Sequence, residues 1–174
     1  MKQALGETDM ELKKWTRDWI NDLARFANNK KIADNVRNVF PHPYTSEDAE
    51  QYIDFCLNAP VDKQLFFAIV VDSRAVGSIG ITLGSDVHAK SAEIGYWLGE
   101  EYWNRGLATK AIREMCRTAF SRYDIVRIFA EVFADNAGSC KALEKSGFLM
   151  EGRLRKSVFK NGRYLDSLIF GLIR

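Results

Sequence analysis

The order of apolar and polar residues predicts that helices and strands alternate after a short N-terminal segment. Residues 1–9 show no periodic pattern, and we expect a loose leader there. Met10–Trp15 alternates apolar and charged side chains over most of its length, which predicts a first strand. Trp19–Ala27 carries apolar residues at helical spacing, and Thr45 or Ser46 then caps a second helix.

Three apolar segments in the middle of the chain predict consecutive strands. They lie at Leu65–Val71, Val76–Leu83 and Ala92–Leu98, and they are rich in β-branched and aromatic residues. Asp72-Ser73-Arg74 separates the first two segments and suits a turn. Because the first segment is apolar throughout, we expect it in the centre of a sheet.

The clearest helical pattern covers Ala108–Phe120. Apolar residues recur there at i, i+3, i+4 and i+7, while lysine, arginine and glutamate occupy the opposite face. Ile125–Phe133 predicts another strand. Asn136 then caps a short helix that ends at Lys145, and Gly147 suits the left-handed position beyond its end.

The C-terminal region predicts a β-hairpin, because Asn161-Gly162 is a typical type I′ turn sequence. No internal repeat or low-complexity linker interrupts the pattern. We therefore predict one α/β domain over residues 1–174. Its sheet has about seven strands and is mixed but mostly antiparallel, with helices on both faces.

Composition and charge exclude several classes of protein. The chain has 174 residues, 47% hydrophobic and 28% charged, which is typical of one globular domain with its own core. A formal net charge of +2 without a block of like charge argues against a nucleic-acid partner. The longest apolar run, Leu65–Val71, is too short to span a bilayer, so we expect no membrane partner.

Cysteine and histidine usage indicates neither disulfides nor a metal site. The three cysteines, Cys56, Cys116 and Cys140, are odd in number and fit no zinc or redox spacing. We interpret them as reduced thiols of a cytoplasmic protein. His42 and His88 do not suffice for a metal site, and we predict none.

The segment Tyr102–Thr109 lies between a predicted strand and the clearest predicted helix. A helix N-terminus offers unpaired N–H groups and the positive end of the helix dipole, which suit a phosphate. Gly106 permits close approach to the backbone, and Arg105 adds a positive charge. The alternative is an ordinary tight loop, and the absence of a following Gly-Lys-Ser/Thr argues against a Walker-type nucleotide site.

Two motifs together resemble those of GNAT N-acetyltransferases in order and spacing. The first comprises Glu93-Ile94-Gly95-Tyr96-Trp97-Leu98, Tyr102-Trp103 and Arg105-Gly106-Leu107-Ala108-Thr109. The second comprises Asn136-Ala137-Gly138-Ser139 and Leu143-Glu144-Lys145-Ser146-Gly147-Phe148. With Pro43-Tyr44-Thr45 and Gly162-Arg163-Tyr164-Leu165-Asp166, they resemble the ribosomal-protein alanine N-acetyltransferase branch. Trp103 departs from the superfamily pattern, where Gln or Arg is frequent.

The resemblance implies a GNAT-like fold that binds acetyl-coenzyme A without a metal. Backbone N–H groups of Asn104–Thr109 are expected to hold the pyrophosphate. The pantetheine arm is expected between strands that end near Leu98 and Val132, splayed by a bulge near Leu98 that frees an N–H for the thioester carbonyl. The implied cofactor contacts are Trp97, Leu98, Trp103, Asn104, Arg105, Gly106, Leu107, Ala108, Thr109, Asn136 and Ser139.

The resemblance also assigns catalytic roles to Ser139 and Glu93. Ser139 would protonate the leaving thiolate, and Asn136 would bond the pantetheine amides; alternatively, the two residues are a helix cap and a small first-turn residue. Glu93 would act as general base, directly or through water, or is simply a solvent-facing strand residue. An α-amine, with a pKa of about 8, needs less help from a base than a lysine at about 10.4.

The acceptor is an amine whose identity the sequence leaves open. His42, Tyr44 and Tyr164 are expected to line its pocket, or are turn and hairpin residues. We expect an N-acetyltransferase that works by direct attack, with a protein or peptide N-terminal α-amine as acceptor and a monomer or homodimer as its state. The alternatives are acetylation of a small-molecule amine, such as a polyamine, amino acid or antibiotic, and a non-catalytic acyl-coenzyme A-binding module.

Overall fold

The computed structural model describes residues 9–174, so residues 1–8 of the expected leader lie outside the described part. The strands are β1 Met10–Lys13, β2 Gln64–Val71, β3 Arg74–Leu83, β4 Ser91–Leu98, β5 Arg127–Phe133, β6 Leu149–Lys160 and β7 Arg163–Ile173. The helices are α1 Ile20–Ala27, α2 Lys30–Ala33, α3 Ser46–Asn58, α4 Leu107–Arg122 and α5 Ala137–Lys145. Short 3-10 turns precede α1, β4 and α4.

All seven strands form one sheet in the order β1-β2-β3-β4-β5-β7-β6. Five of the neighbouring pairs are antiparallel, and β4 with β5 is the parallel pair. Helix α4 supplies the crossover between these two strands, as a parallel connection requires. The predicted mixed, mostly antiparallel seven-stranded sheet is confirmed.

Helices cover both faces of the sheet, as predicted. On one face, α4 buries Ala111, Ile112 and Met115 against alternate residues of the central strands. On the other face, α1 and α3 bury Leu23 and Ile53 against the remaining strand residues. The site described below lies where β4 and β5 separate within this two-sided core.

Local sequence signals fix several element boundaries. Thr45 and Asp48 form a capping box at the start of α3, with the Thr45 side chain accepting from Asp48 N at 3.2 Å. Asn161 and Gly162 adopt φ of 51° and 73°, as a type I′ turn requires. Gly147 follows the end of α5 at φ 96°, the left-handed position that the sequence predicts.

One helix was not predicted from the sequence. Helix α2 is a single turn of four residues, capped by the Asn29 side chain, which accepts from Lys31 N at 2.8 Å. A single turn is too short to show a periodic apolar pattern, so no pattern in the sequence predicts it. Between residues 9 and 174, no helix is long and apolar enough to cross a bilayer.

Candidate active site

A gap opens in the sheet between β4 and β5. The two strands pair only at Ser91 with Arg127, Ala92 with Ile128 and Glu93 with Phe129. Beyond this rung β4 continues along β3 and β5 continues along β7, so the two strands diverge.

The expected bulge near Leu98 is wrong. The register of β3 with β4 runs without a shift from Ala92 through Leu98, and the separation begins at Ile94. The gap is therefore made by ending a short parallel ladder while each strand keeps its antiparallel partner. A right-handed twist between neighbouring strands carries the unpaired ends apart.

The loop before α4 presents its backbone to solvent beside this gap. Gly106 is the N-cap of α4 in the left-handed conformation, at φ 75°, with no side-chain cap. The first helical hydrogen bond runs from Lys110 N to Gly106 O at 3.0 Å, so the N–H groups of residues 107–109 have no intrahelical acceptor. A Cβ placed on Gly106 would meet no atom within 4 Å, which shows that the backbone there is open.

Two side chains of the same loop have structural contacts of their own. The Trp103 indole N–H donates to the Leu98 carbonyl at 2.7 Å and ties the loop to the end of β4. The Arg105 guanidinium lies 5.3 Å from the centre of the Tyr102 ring, a cation–π contact that leaves Arg105 exposed. Asn104 adopts φ 59°, a conformation that asparagine tolerates better than most residues.

Ser139 lies in the first turn of α5 and contacts β4. Its hydroxyl oxygen is 2.6 Å from that of Tyr96, and its N–H donates to Asn136 Oδ1 at 3.1 Å. Burial raises the pKa of Tyr96 to about 12, although the hydrogen bond with Ser139 lowers it. The sequence does not indicate this contact, because alternation along a strand does not reveal that a hydroxyl has a partner on a distant helix.

Glu93 points to the opposite face of the sheet from Ser139. Its neighbours Ala92 and Ile94 are buried on the α4 face, so alternation along the strand directs Glu93 toward the face covered by α1 and α3. The carboxylate forms an ion pair with Arg37, which lies between α2 and α3. The Glu93 side chain is 31% exposed and that of Arg37 is 69% exposed. The sequence offered no sign of Arg37, because its partner is 56 residues away.

The aromatic residues near this face mostly pack against each other. Trp97 meets the Phe40 ring at 5.8 Å, and Phe40 meets Tyr44 at 4.9 Å. Tyr44 is only 6% exposed and belongs to the core under α1 and α3, which favours the packing interpretation over an acceptor contact.

The other two residues expected in the acceptor pocket are exposed. Tyr164 is 69% exposed and contacts Phe159 near the β6–β7 turn, with ring centres 5.1 Å apart. His42 is also exposed. Among the hydrogen bonds of residues 9–174, none joins His42 or Tyr164 to Glu93 or Ser139.

Comparison with known sequences identifies the family. A family described as the acetyltransferase (GNAT) domain matches residues 9–149. The chain belongs to this family. The described residues contain no group of three or more histidine, cysteine, aspartate or glutamate side chains placed to hold a metal ion.

Several bacterial relatives are similar over much of the chain. The L-amino acid N-acetyltransferase AaaT of Escherichia coli (strain K12) is 30% identical over 77% of this chain and 80% of its own length. The ribosomal-protein-serine acetyltransferase of the same strain is 27% identical over 62% of this chain and 59% of its own. Against three uncharacterised Bacillus N-acetyltransferases, the chain spans 55%, 61% and 63% of their lengths.

A solved structure shares the fold across almost the whole chain. The ribosomal L7/L12 alpha-N-protein acetyltransferase RimL, in complex with coenzyme A, is 19% identical with a TM-score of 0.83. The alignment covers 98% of this chain and 96% of that protein. This similarity extends beyond residue 149, into β6 and β7.

Proposed function

We propose that this GNAT protein transfers the acetyl group of acetyl-coenzyme A to a primary amine by direct attack, without a metal. The gap between β4 and β5 carries the proposal. It connects the two faces of the sheet, with the Glu93 carboxylate on one face and the Tyr96–Ser139 hydroxyl pair on the other. Acetyl transfer needs a group that accepts a proton from the attacking amine and a group that gives one to the leaving thiolate. Glu93 on the first face suits the amine, and the hydroxyl pair on the second face suits the thiolate.

The loop before α4 fits the pyrophosphate of the donor. Three N–H groups without intrahelical acceptors, the positive end of a 16-residue helix and the exposed Arg105 provide donors and charge for an anion. The pantetheine arm then follows the gap past Trp97 and Leu98. Asn136 uses its side-chain oxygen to cap α5, so its amide NH2 group is the donor left for a pantetheine carbonyl.

Glu93 is the proposed general base. Its position in the last paired rung brings the carboxylate to the narrow end of the gap, and Arg37 holds it there as an ion pair. A cationic amine competes with Arg37 for the same carboxylate and then gives up its proton before attack. Ser139 protonates the departing thiolate on the far side, where the N-terminus of α5 favours negative charge.

The proposed acceptor is the α-amine of a protein or peptide N-terminus. With a pKa of about 8, about a tenth of such amines are neutral at pH 7, against fewer than about one in a thousand lysines. Glu93 is half-buried and already paired with Arg37, an arrangement that suits an amine needing little help to lose its proton. We propose His42 and Tyr164 as acceptor contacts, since both are exposed, and assign Tyr44 to packing.

A small-molecule amine is the second candidate acceptor. The relative AaaT, aligned over 80% of its length, is an L-amino acid N-acetyltransferase. Glu93 would serve a free amino acid as it would a peptide terminus, because both present an α-amine.

The setting of the enzyme completes the proposal. The three cysteines are free thiols, which agrees with a cytoplasmic enzyme. We propose that the chain works as one domain, as a monomer or homodimer.

The test is release of coenzyme A from acetyl-coenzyme A with a panel of acceptors. The panel contains a peptide beginning with Ala or Ser, an N-blocked lysine peptide, free amino acids and spermidine, each from about pH 6.5 to about pH 9. We expect the α-amine peptide to react faster than the lysine peptide at neutral pH. Preference for free amino acids would select the second candidate, and preference for the lysine peptide would reject the α-amine proposal.

Calorimetry with acetyl-coenzyme A separates turnover from binding. We expect binding without any acceptor present, and a higher melting temperature by mass action. Binding without turnover on the whole panel would make the chain an acyl-coenzyme A-binding module. Absence of binding would reject the proposed function altogether.

A further inference from the structure

We propose that Tyr96 is a positioning residue of the reaction: its phenol replaces the proton that Ser139 gives to the leaving thiolate. The inference rests on the proposed acetyl transfer and adds a second proton donor behind Ser139. The inference rests on the distance of 2.6 Å between two hydroxyl oxygens, Tyr96 Oη on β4 and Ser139 Oγ on α5.

The two hydroxyls are held by different elements. Tyr96 lies on the part of β4 beyond its last pairing with β5, whose final β4 residue is Glu93. Ser139 is fixed in the first turn of α5, because its N–H donates to Asn136 Oδ1 at 3.1 Å. Tyr96 Oη also lies 3.4 Å from the Ser139 carbonyl oxygen, so the phenol sits over the backbone of the same turn.

The need for a second donor follows from acidity. A serine hydroxyl is a weaker acid than a phenol, whose ordinary pKa is about 10, and the conjugate acid of the leaving thiolate has a pKa of about 8.5. An alkoxide left on Ser139 would be costly in this half-buried turn. A phenol donating to Ser139 Oγ allows the serine to lose one proton while gaining another.

Burial keeps the phenol loaded with its proton. The pKa of Tyr96 is raised to about 12, mainly by removal from water and further by the nearby Cys140, while the Ser139 hydrogen bond lowers it. The phenol is therefore protonated at every pH at which an amine acceptor works. Tyr96 therefore holds a proton at the start of each turnover, although burial also makes its phenol a weaker acid than a free tyrosine.

The protons and electrons of the proposed transfer balance with only the amine, acetyl-coenzyme A and solvent as reactants. The neutral amine nitrogen, which has already lost its first proton to solvent, forms a bond to the acetyl carbon and loses its second proton to Glu93. As the carbon–sulfur bond breaks, its electron pair stays on sulfur, which takes the Ser139 proton. The Tyr96 proton moves to Ser139 Oγ. Before the next turnover Glu93 releases the amine proton to solvent and solvent returns one proton to Tyr96, so the two transfers balance.

A purely structural role is the alternative, in which the hydrogen bond only sets the width of the gap. The two roles differ in what they change. If the hydrogen bond is only a brace, removing it alters the affinity for acetyl-coenzyme A and the stability of the fold. If it is part of a proton relay, removing it alters the rate of acetyl transfer and the number of protons that move in that step. Tyr123 supplies a control, because its hydroxyl likewise donates to a backbone carbonyl, that of Val61 at 2.7 Å, and is absent from the proposed site.

The experiment measures single-turnover acetyl transfer with pre-bound acetyl-coenzyme A and the fastest acceptor of the panel. The variants are Tyr96→Phe, Ser139→Ala, the double variant and Tyr123→Phe. We expect Tyr96→Phe to slow transfer about tenfold or more, with the double variant within about twofold of Ser139→Ala, since members of one relay are non-additive. Tyr123→Phe should transfer at the rate of the unmodified protein.

A proton inventory in mixtures of H2O and D2O provides the readout that a brace would not move. We expect a curved dependence on deuterium fraction in the unmodified protein and in Tyr123→Phe, and a straight line in Tyr96→Phe. A straight line in all forms, or additive losses in the double variant, would overturn the relay. If the unmodified protein acetylates no acceptor, the proposed function is rejected, and the relay is rejected with it. If the protein does acetylate an acceptor, the proton inventory and the double variant test the relay separately.

Discussion

Glu93 of β4 and Phe129 of β5 are partners in the last rung at which these two strands pair. Every residue of β4 beyond Glu93 faces the gap edge without a partner on β5. The carboxylate therefore lies at the apex of the gap, on the face opposite the Tyr96–Ser139 pair. This single relationship places the proposed base and the proposed acid on opposite sides of one opening.

Replacing Glu93 by glutamine tests the base. Glu93→Gln should lower kcat/KM for an α-amine acceptor about a hundredfold near pH 7, because the neutral amide accepts no proton. The loss should shrink toward pH 9, where more of the amine is neutral without help. Steady-state kinetics across this pH range provide the measurement.

The control for Glu93 is Glu151→Gln. Glu151 of the edge strand β6 also forms an ion pair, with Arg127 at the start of β5, at the end of the β4–β5 ladder away from the gap. This variant should keep the kcat/KM of the unmodified protein. An equal rate for Glu93→Gln and the unmodified protein at every pH would remove Glu93 from the mechanism and leave it as a surface strand residue.

The proposed binding of the pyrophosphate by the loop before α4 is tested at Gly106. Gly106→Leu should weaken acetyl-coenzyme A binding about tenfold or more, because the side chain would project into the open space where the phosphates approach. Isothermal calorimetry measures the affinity. Gly162→Leu is a matched control, since Gly162 has a similar φ of 73° and equally open surroundings at the hairpin turn.

Both glycine variants should lose a similar amount of stability. A non-glycine residue in the left-handed region costs about 1–2 kcal/mol. Only Gly106→Leu should lose affinity for acetyl-coenzyme A. If the two variants bind acetyl-coenzyme A equally well, the N-terminus of α4 is not the pyrophosphate site.

Ser139→Ala tests the terminal proton donor. Turnover should fall about a hundredfold, while the dissociation constant for acetyl-coenzyme A stays within about threefold, because the hydroxyl acts on the departing thiolate. Ser146→Ala provides a comparison at the other end of α5, where the hydroxyl donates to the Ala142 carbonyl at 2.7 Å. Equal turnover in both serine variants, with the transfer step rate-limiting, would return Ser139 to a structural role in the cap.

Stability should decline at alkaline pH. Burial raises the pKa of Cys116 from 9.0 to about 12 and that of Tyr96 from 10.0 to about 12. The folded state holds these protons more tightly than the unfolded state, so the unfolded state deprotonates first as pH rises. The stabilisation is fully present below about pH 9 and is lost progressively toward about pH 12.

Denaturant unfolding with a reductant present measures this decline. Each such group contributes up to about 1.4 kcal/mol per pH unit inside its window. Cys116→Ala should lose stability overall but show a shallower decline above about pH 9 than the unmodified protein. A pH-independent free energy of unfolding between about pH 9 and about pH 11 would contradict the assigned burial.

Much of the architecture was readable from the sequence. The apolar pattern of Ala108–Phe120, the capping pair Thr45 and Asp48, and the turn at Asn161-Gly162 each appear in the structure where they were predicted. These signals are local, because helix periodicity, caps and turns depend on residues within a few positions of one another. The glycine loop also lies where the sequence predicts it, between a strand and the start of α4, because this placement depends on neighbouring residues.

The contacts within the site could not be predicted from the sequence where they join residues of distant segments. The pairing of Tyr96 with Ser139 spans 43 residues, and that of Arg37 with Glu93 spans 56. The sequence left open whether Tyr44 contacts the acceptor or packs within a turn, and the structure buries it in the core, because a phenol's burial depends on what packs over it. The predicted bulge at Leu98 was replaced by the early end of the β4–β5 ladder. The sequence by itself determined the strands and the longer helices, because their signals are local, whereas the packing of helices on both sheet faces decided which side chains meet.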